Sequence, residues 1–395
     1  MARRARPLNQ PAAVRKSGVR GRPDFECIAF LLQGGGALGA YQAGAYEALA
    51  EAEILPDWVA GISIGAINSA IIAGNAPKER VAKLRAFWEL VTTSPPWDLF
   101  SDHVARLARG NDARFLANQM SATTTLMAGA TGFFAPRLPG PWHQPRGTID
   151  ATSYYDTSAL KATLEGLVDF DRINSGAMRY SSGAVNVRSG NFVYFDTTKH
   201  RIRAEHVIAS GSLPPGFPAT EIDGEHYWDG GLVSNTPLQW VLQFGPRRDT
   251  LAFQVDLWAA HGDFPQSISE VATRQKEILY SSRTRENTDR FRNTQHLRHA
   301  FAKLCDQLPD SLRQTPEYET LSALADHKVY RIVELIYHAR HYEGDNKDYE
   351  FSRFSMEEHW RSGYIDASRT LRHPDALARP TDADGLALFD IHHFD

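Results

Sequence analysis

Twice within residues 27–73 a short apolar run ends at a tight turn and passes directly into a helix-like pattern. Cys27-Ile28-Ala29-Phe30-Leu31-Leu32 is apolar throughout, as a strand covered on both faces must be. Gln33 and three glycines end it, and Ala37 to Ala52 follows with apolar positions at Leu38, Tyr41, Ala45 and Leu49. Pro56 breaks that pattern. Trp58-Val59-Ala60-Gly61-Ile62 then reads as a second strand and Ile64 to Ala73 as a second helix. Strand, tight turn and helix in succession are the grammar of parallel strands joined by crossovers, so an α/β fold on a parallel sheet is expected.

A length of 395 residues is a prior for two or three domains, and 42% hydrophobic residues supply a core of native size. Residues 1–22 carry seven basic side chains and no acid, which leaves the remainder at −11 within a chain of net −4. An acidic body argues against a nucleic-acid partner. No run is long and apolar enough for a membrane-spanning helix or a secretory signal, so a cytoplasmic protein is expected. Two cysteines, Cys27 and Cys305, give neither a disulfide framework nor a metal-binding spacing. Residues 1–24, rich in Arg and Pro, read as a disordered basic arm. A solvated tail and a peripheral contact with an anionic membrane surface are both open readings of it.

Residues 25–262 form the expected main domain, with residues 95–145 as a Pro-, Gly- and aromatic-rich insertion or lid over the sheet. Further elements are expected as a helix at Ser158 to Leu167, a hairpin of Ala184–Val187 with Phe192–Phe195, a short helix at Ala204 to Ser210 and a buried strand at Leu251 to Leu257. Residues 263–395 change character to long, polar, Arg-rich helical segments, an apolar strand at Val329 to Tyr337 and a final helix from Ser355 to Leu371.

Three segments carry chemistry. Gly34-Gly35-Gly36-Ala37-Leu38-Gly39, at a strand-to-helix turn, exposes backbone N–H groups beside a helix N-terminus, which suits a phosphate or a developing oxyanion. Gly61-Ile62-Ser63-Ile64-Gly65 has the pattern of a nucleophile elbow, and its weight comes from lying between a strand and a helix. Asp229, before Gly230-Gly231, can approach another loop closely. Together these make a serine acyl hydrolase. A triad would need a histidine, and none of His206, His226, His261 and His341 is marked out by its surroundings. The simpler arrangement has Asp229 accept the serine proton directly, in a site that raises its basicity.

These blocks resemble those of the patatin-like phospholipases. Leu32 to Gly39 looks like the family's oxyanion block, and Gly61-Ile62-Ser63-Ile64-Gly65-Ala66-Ile67-Asn68 like its elbow. Ala209-Ser210-Gly211-Ser212-Leu213-Pro214-Pro215-Gly216-Phe217-Pro218 and Asp229-Gly230-Gly231, with Asn235 and Pro237, match two later blocks in order. The resemblance implies a three-layer α/β/α sandwich with an additional mixed α/β C-terminal region. It implies Ser63 as nucleophile, Asp229 as base, and Gly34, Gly35 and Gly36 as oxyanion donors, with no metal or cofactor. The substrate would be a lipid or fatty-acyl ester. Leu38 stands where the family usually has Arg or Lys, which weakens the case for a phosphate-headed substrate. Asp348-Tyr349-Glu350-Phe351-Ser352-Arg353 and His359-Trp360 resemble a C-terminal extension, of unassigned role, found on a bacterial subset.

Two other readings remain. Gly34, Gly36 and Gly39 also satisfy a dinucleotide-binding pattern, which would need an acid at the end of the second strand; the only nearby one, Asp57, precedes it. A patatin fold that binds lipid or protein without catalysis is the other. Oligomeric state is not readable from the sequence.

Overall fold

The computed structural model describes residues 21–92, 110–244, 247–340, 342–380 and 385–391. Residues 1–20 of the expected arm and 95–109 of the expected insertion lie outside them.

The strands are β1 (Cys27–Leu32), β2 (Trp58–Ile62), β3 (Ala135–Pro136), β4 (Tyr155–Asp156), β5 (Arg179–Asn186), β6 (Phe192–Asp196), β7 (Thr220–Ile222), β8 (Glu225–Asp229), β9 (Thr250–Asp256), β10 (Tyr330–Ile336) and β11 (Leu386–Asp390). The α-helices are α1 (Ala40–Glu51), α2 (Ile64–Ala73), α3 (Arg80–Val91), α4 (Asn111–Ala128), α5 (Ser158–Leu167), α6 (Phe170–Asn174), α7 (Ala204–Ser210), α8 (Leu238–Phe244), α9 (Ile268–Gln307), α10 (Pro316–Leu324) and α11 (Arg353–Thr370).

Among the described residues the main sheet runs β11-β10-β9-β1-β2-β5-β8-β7, with β6 also on β5. From β11 to β5 every pairing is parallel; β6, β8 and β7 add antiparallel pairs. Side chains alternate across a strand, and β1 divides accordingly. Ile28, Phe30 and Leu32 enter the larger core with α1, α2 and α3, while Cys27, Ala29 and Leu31 enter a second core with α8 and Phe291 of α9. Helices on both faces of the sheet give the three layers that the resemblance implied.

The C-terminal region extends this sheet. β10 pairs with β9 from Tyr330↔Thr250 to Ile336↔Asp256, and β11 continues beyond it. Helix α11 lies against α1 with glycines at the crossing. A Cβ on Gly44 would collide with the Trp360 carbonyl, and one on Gly363 with that of Tyr41.

Candidate active site

Register places the two expected chemical residues together. β2 pairs with residues 179–183 of β5 and ends at Ile62↔Gly183, while β8 pairs with 184–186 and ends at Asp229↔Ala184. β6 overlaps both of these stretches, at 181–185, so it occupies the other edge of β5. β2 and β8 therefore share one edge and run towards each other, and their C-terminal ends meet there. Ser63 follows one end and Asp229 is the other.

The turn after β2 holds Ser63 at φ 56° and ψ −124°. It is this sharp because Gly61 and Gly65 lack side chains: a Cβ on Gly61 would overlap the Gly65 carbonyl, and one on Gly65 the Leu32 carbonyl. Ser210 Oγ accepts the Ser63 N–H at 3.0 Å and donates to the Gly183 carbonyl at 2.6 Å, tying the elbow to β5. The carboxylate of Asp229 is buried beside the Ser63 side chain. Burial pushes Asp229 up to about 7, against the lowering effect of Ser63 and of the Gly231 N–H, which donates to Oδ1 at 2.7 Å.

The glycine turn after β1 stands beside Ser63, and buried amides hold it. Gln33 Oε1 accepts the N–H groups of Leu257 (2.6 Å) and Trp258 (3.1 Å). Gln42 Nε2 donates to the Gln33 carbonyl at 2.7 Å, Asn68 Nδ2 to Gln42 Oε1 at 2.9 Å, and Trp88 Nε1 to Asn68 Oδ1 at 3.1 Å. Asn68, on α2, also donates to the Gly39 carbonyl at 3.0 Å, so one chain of hydrogen bonds braces both turns. The Gly34 carbonyl accepts from Asn235 Nδ2 (3.0 Å) and Trp258 Nε1 (2.9 Å).

Of the three expected oxyanion donors, Gly34 differs from the other two. Its N–H donates to the Asn235 carbonyl at 3.2 Å, whereas those of Gly35 and Gly36 have no hydrogen-bond partner among the described residues. Gly36, at φ 54°, needs to be glycine twice over, since a Cβ there would also overlap the Asp348 carbonyl.

A cavity of about 430 Å³ opens onto Ser63, Asp229 and Gly34 to Gly36. Its walls are chiefly apolar: Ile64 and Ile67 from α2, Leu213 to Phe217 before β7, and Phe133 and Phe134 from the expected insertion. Histidine does not line it among the described residues. His206 is pushed down to about 4 by burial and Arg203, and its Nδ1 accepts the Arg203 N–H at 2.9 Å. His261 lines a different cavity, His226 is exposed on β8, and His341 lies outside the described residues. Asp57, the one candidate for holding a ribose, accepts from Ile28 N–H and Arg22 at the N-terminal end of β2, the wrong end of the strand for that role.

The sequence matches the family profile described as Patatin-like phospholipase over residues 30–241, which include both turns, Ser63 and Asp229. The chain belongs to the patatin-like phospholipase family. Lipid acyl hydrolysis is therefore the general class of reaction that the family supports. A second profile, described as Patatin phospholipase, matches residues 278–383. Among solved structures the chain is similar to VipD from Legionella pneumophila, with 13% identity, a TM-score of 0.38, and coverage of 97% of this chain and 77% of that one. It is also similar to ExoU from Pseudomonas aeruginosa, solved in complex with SpcU, at 17% identity and a TM-score of 0.26, covering 77% of this chain and 61% of that one. No curated protein matches the sequence significantly. No described helix is long and apolar enough to cross a membrane.

In this patatin-like chain the C-terminal region reaches the site itself. The Asp348 carbonyl accepts the Ala37 N–H at 2.8 Å, directly after the glycine turn, and Lys276 Nζ fastens the Asp348 carboxylate at 2.8 Å. Tyr280, Tyr349 and Phe351 complete the cavity wall. Phe351 packs on Phe133 and Phe134 with ring centroids 5.9 and 6.0 Å apart. Tyr280 packs on Trp258 with ring centroids 5.1 Å apart and planes tilted by 34°, and its hydroxyl is pushed up to about 12 by burial and by the charges of Asp348 and Asp229. Sequence reading assigned these residues no part in the site. Leu38 is wholly buried, and neither Lys nor Arg lines the cavity among the described residues.

Proposed function

We propose that this chain hydrolyses carboxylic esters of lipids through a covalent acyl-Ser63 intermediate. The observation that carries the reading is the Ser63 side chain, set on a sharp turn beside a buried carboxylate and lining an apolar cavity. Ser63 Oγ attacks the ester carbonyl carbon and its proton passes to Asp229. An Asp229 held near 7 is a far better base than an ordinary carboxylate.

The oxyanion is received by the N–H groups of Gly35 and Gly36. C=O and N–H point in opposite directions across a trans peptide. Fixing the Gly34 carbonyl on Asn235 and Trp258 therefore aims the Gly35 N–H the other way. The Gly35 carbonyl, accepting from Leu38 N–H at 3.2 Å, does the same for Gly36. Gly34 itself serves as the anchored residue of the turn. Collapse of the tetrahedral intermediate expels the alcohol, which takes the proton from Asp229. Water then attacks the acyl-enzyme, Asp229 receives its proton, and the carboxylic acid leaves with Ser63 restored.

The apolar walls suit an acyl chain, and a cavity without a cationic side chain suits a neutral ester at least as well as a phosphate-headed one. The test is fatty-acid release across a panel of neutral glycerides and phospholipids by wild type and Ser63→Ala. Release by the wild type alone is expected; equal release by both, or by neither across the panel, would refute the proposal.

A further inference from the structure

Helix α4 carries its apolar residues on the outside. Its buried positions are small or polar, at Ala117, Asn118, Ser121, Ala122 and Thr125, while Leu116, Met120 and Met127 (77% exposed) face solvent. A surface helix shaped only by folding has the reverse arrangement. Leu116, Met120 and Met127, four and seven residues apart, lie along one stripe.

The stripe is continuous with the entrance to the catalytic cavity. Leu126 of α4 is 44% exposed and also lines that cavity. Its carbonyl accepts the Tyr155 hydroxyl at 2.9 Å, and Tyr155 is another lining residue. The neighbouring Tyr154 donates its N–H to the Pro215 carbonyl of the cavity loop at 3.0 Å and meets Trp142 at 6.3 Å between ring centroids. Trp142 is 81% exposed, and Leu138, just before it, is 91% exposed.

Along this stretch of the sequence every charged side chain is an arginine. Between Asp112 and Asp150 the sequence holds no acidic residue but has Arg114, Arg137 and Arg146, in a chain of net −4. Arg114 pairs with Glu358 and Arg137 with Asp150, whereas Arg146 is exposed without an ion-pair partner among the described residues.

We propose that this face, formed by the outer stripe of α4 and the Leu138–Trp142 segment, docks on an anionic lipid bilayer and opens the cavity against it. Large apolar side chains flanked by arginine, with Arg146 exposed and without an ion-pair partner among the described residues, are what a headgroup boundary accepts, with the apolar residues sinking among the acyl chains. A second protein is a poorer fit, because the apolar surface leads into a cavity whose own walls are apolar. The proposal rests on the lipid-ester reading above.

The test compares full-length wild type, Met120→Asp/Met127→Asp and Trp142→Asp, none of which alters a cavity residue. Each is sedimented with vesicles of equimolar phosphatidylcholine and phosphatidylglycerol, sedimented with vesicles of phosphatidylcholine alone, and assayed on a water-soluble short-chain ester. The wild type should bind the mixed vesicles and bind phosphatidylcholine alone more weakly. Each variant should bind the mixed vesicles about tenfold or more weakly while hydrolysing the soluble ester at the wild-type rate. Variants that bind like the wild type would overturn the docking face, as would a wild type that turns over the soluble ester without binding vesicles. Equal wild-type binding to both vesicle types would overturn the anionic preference. A dimeric wild type made monomeric by the substitutions, with vesicle binding unchanged, would make the face a contact between copies instead. If the wild type binds and the variants do not, yet none of them hydrolyses the soluble ester, docking stands and the hydrolase reading alone fails.

Discussion

Ser63 is held in a backbone conformation that costs a non-glycine residue on the order of 1–3 kcal/mol, and β2, α2 and Ser210 together keep it there. What the turn gains is a hydroxyl presented to the cavity that Asp229 also lines. Asp229 carries a related cost, because its folded-state value of about 7 lies well above that of an unfolded aspartate. Two pH dependences follow. The base must be ionised, so kcat/KM on a soluble ester should rise with pH through about 7 and level off above it, as a pH–rate profile will read. Stability moves the opposite way. Between the unfolded and folded values the folded form keeps a proton that the unfolded chain has released, so this group's contribution is lost as pH rises through that window. Asp229→Asn cannot ionise. Its thermal midpoint should exceed that of wild type near pH 8 and approach it near pH 5, while turnover falls by about a thousandfold or more. A variant with the same midpoint difference at both pH values would contradict a raised Asp229.

Whether an element was legible in the sequence depended on how it is buried. β1 and β2 are covered on both faces and their unbroken apolar runs announce them, while β9 and β10 show as mostly apolar runs interrupted by Gln254 and by Arg331 and Glu334. α4 gave no helical period pointing inward, because its large apolar residues point out, and the segment read as irregular. β8, with Glu225-His226-Tyr227-Trp228-Asp229, is short and mostly half-buried, too brief to stand out. At the site, Ser63 and Asp229 could be found because elbow and glycine-flanked acid have local patterns. Asn235 and Asp348 were visible only as members of resembling blocks and Trp258 not at all, since their parts at the glycine turn, through an amide side chain, a backbone carbonyl and a distant indole, depend on the fold. Asn68 is the intermediate case: it follows the elbow in sequence, but its purpose is visible only in the hydrogen bonds to Gly39, Gln42 and Trp88. Asn68→Ala leaves the buried Trp88 N–H and Gln42 oxygen without that partner. It should cost about 1–3 kcal/mol in denaturant unfolding, and an unchanged midpoint would show that the amide chain is not a brace.

At the scale of the molecule, the region beyond residue 262 is both a flank of the sheet and a wall of the cavity. β10 and β11 continue the sheet past β9, α11 meets α1 at Gly44 and Gly363, and Asp348 to Phe351 close over the glycine turn. Gly363→Val would force the two helix backbones apart and should lower the thermal midpoint sharply; a neutral effect would mean the crossing is not tight. Phe351→Ala enlarges the apolar wall instead, so it should shift preference towards longer or bulkier acyl chains with kcat on short esters kept, as a chain-length series will show. All of this assumes chemistry at one hydroxyl. The most direct measurement is mass spectrometry of the native protein after reaction with a fluorophosphonate, run beside Asp229→Asn. A single phosphonyl adduct on Ser63 is expected, forming far more slowly when Asp229 is replaced. An unmodified Ser63 in folded protein, or equal labelling with and without Asp229, would contradict it.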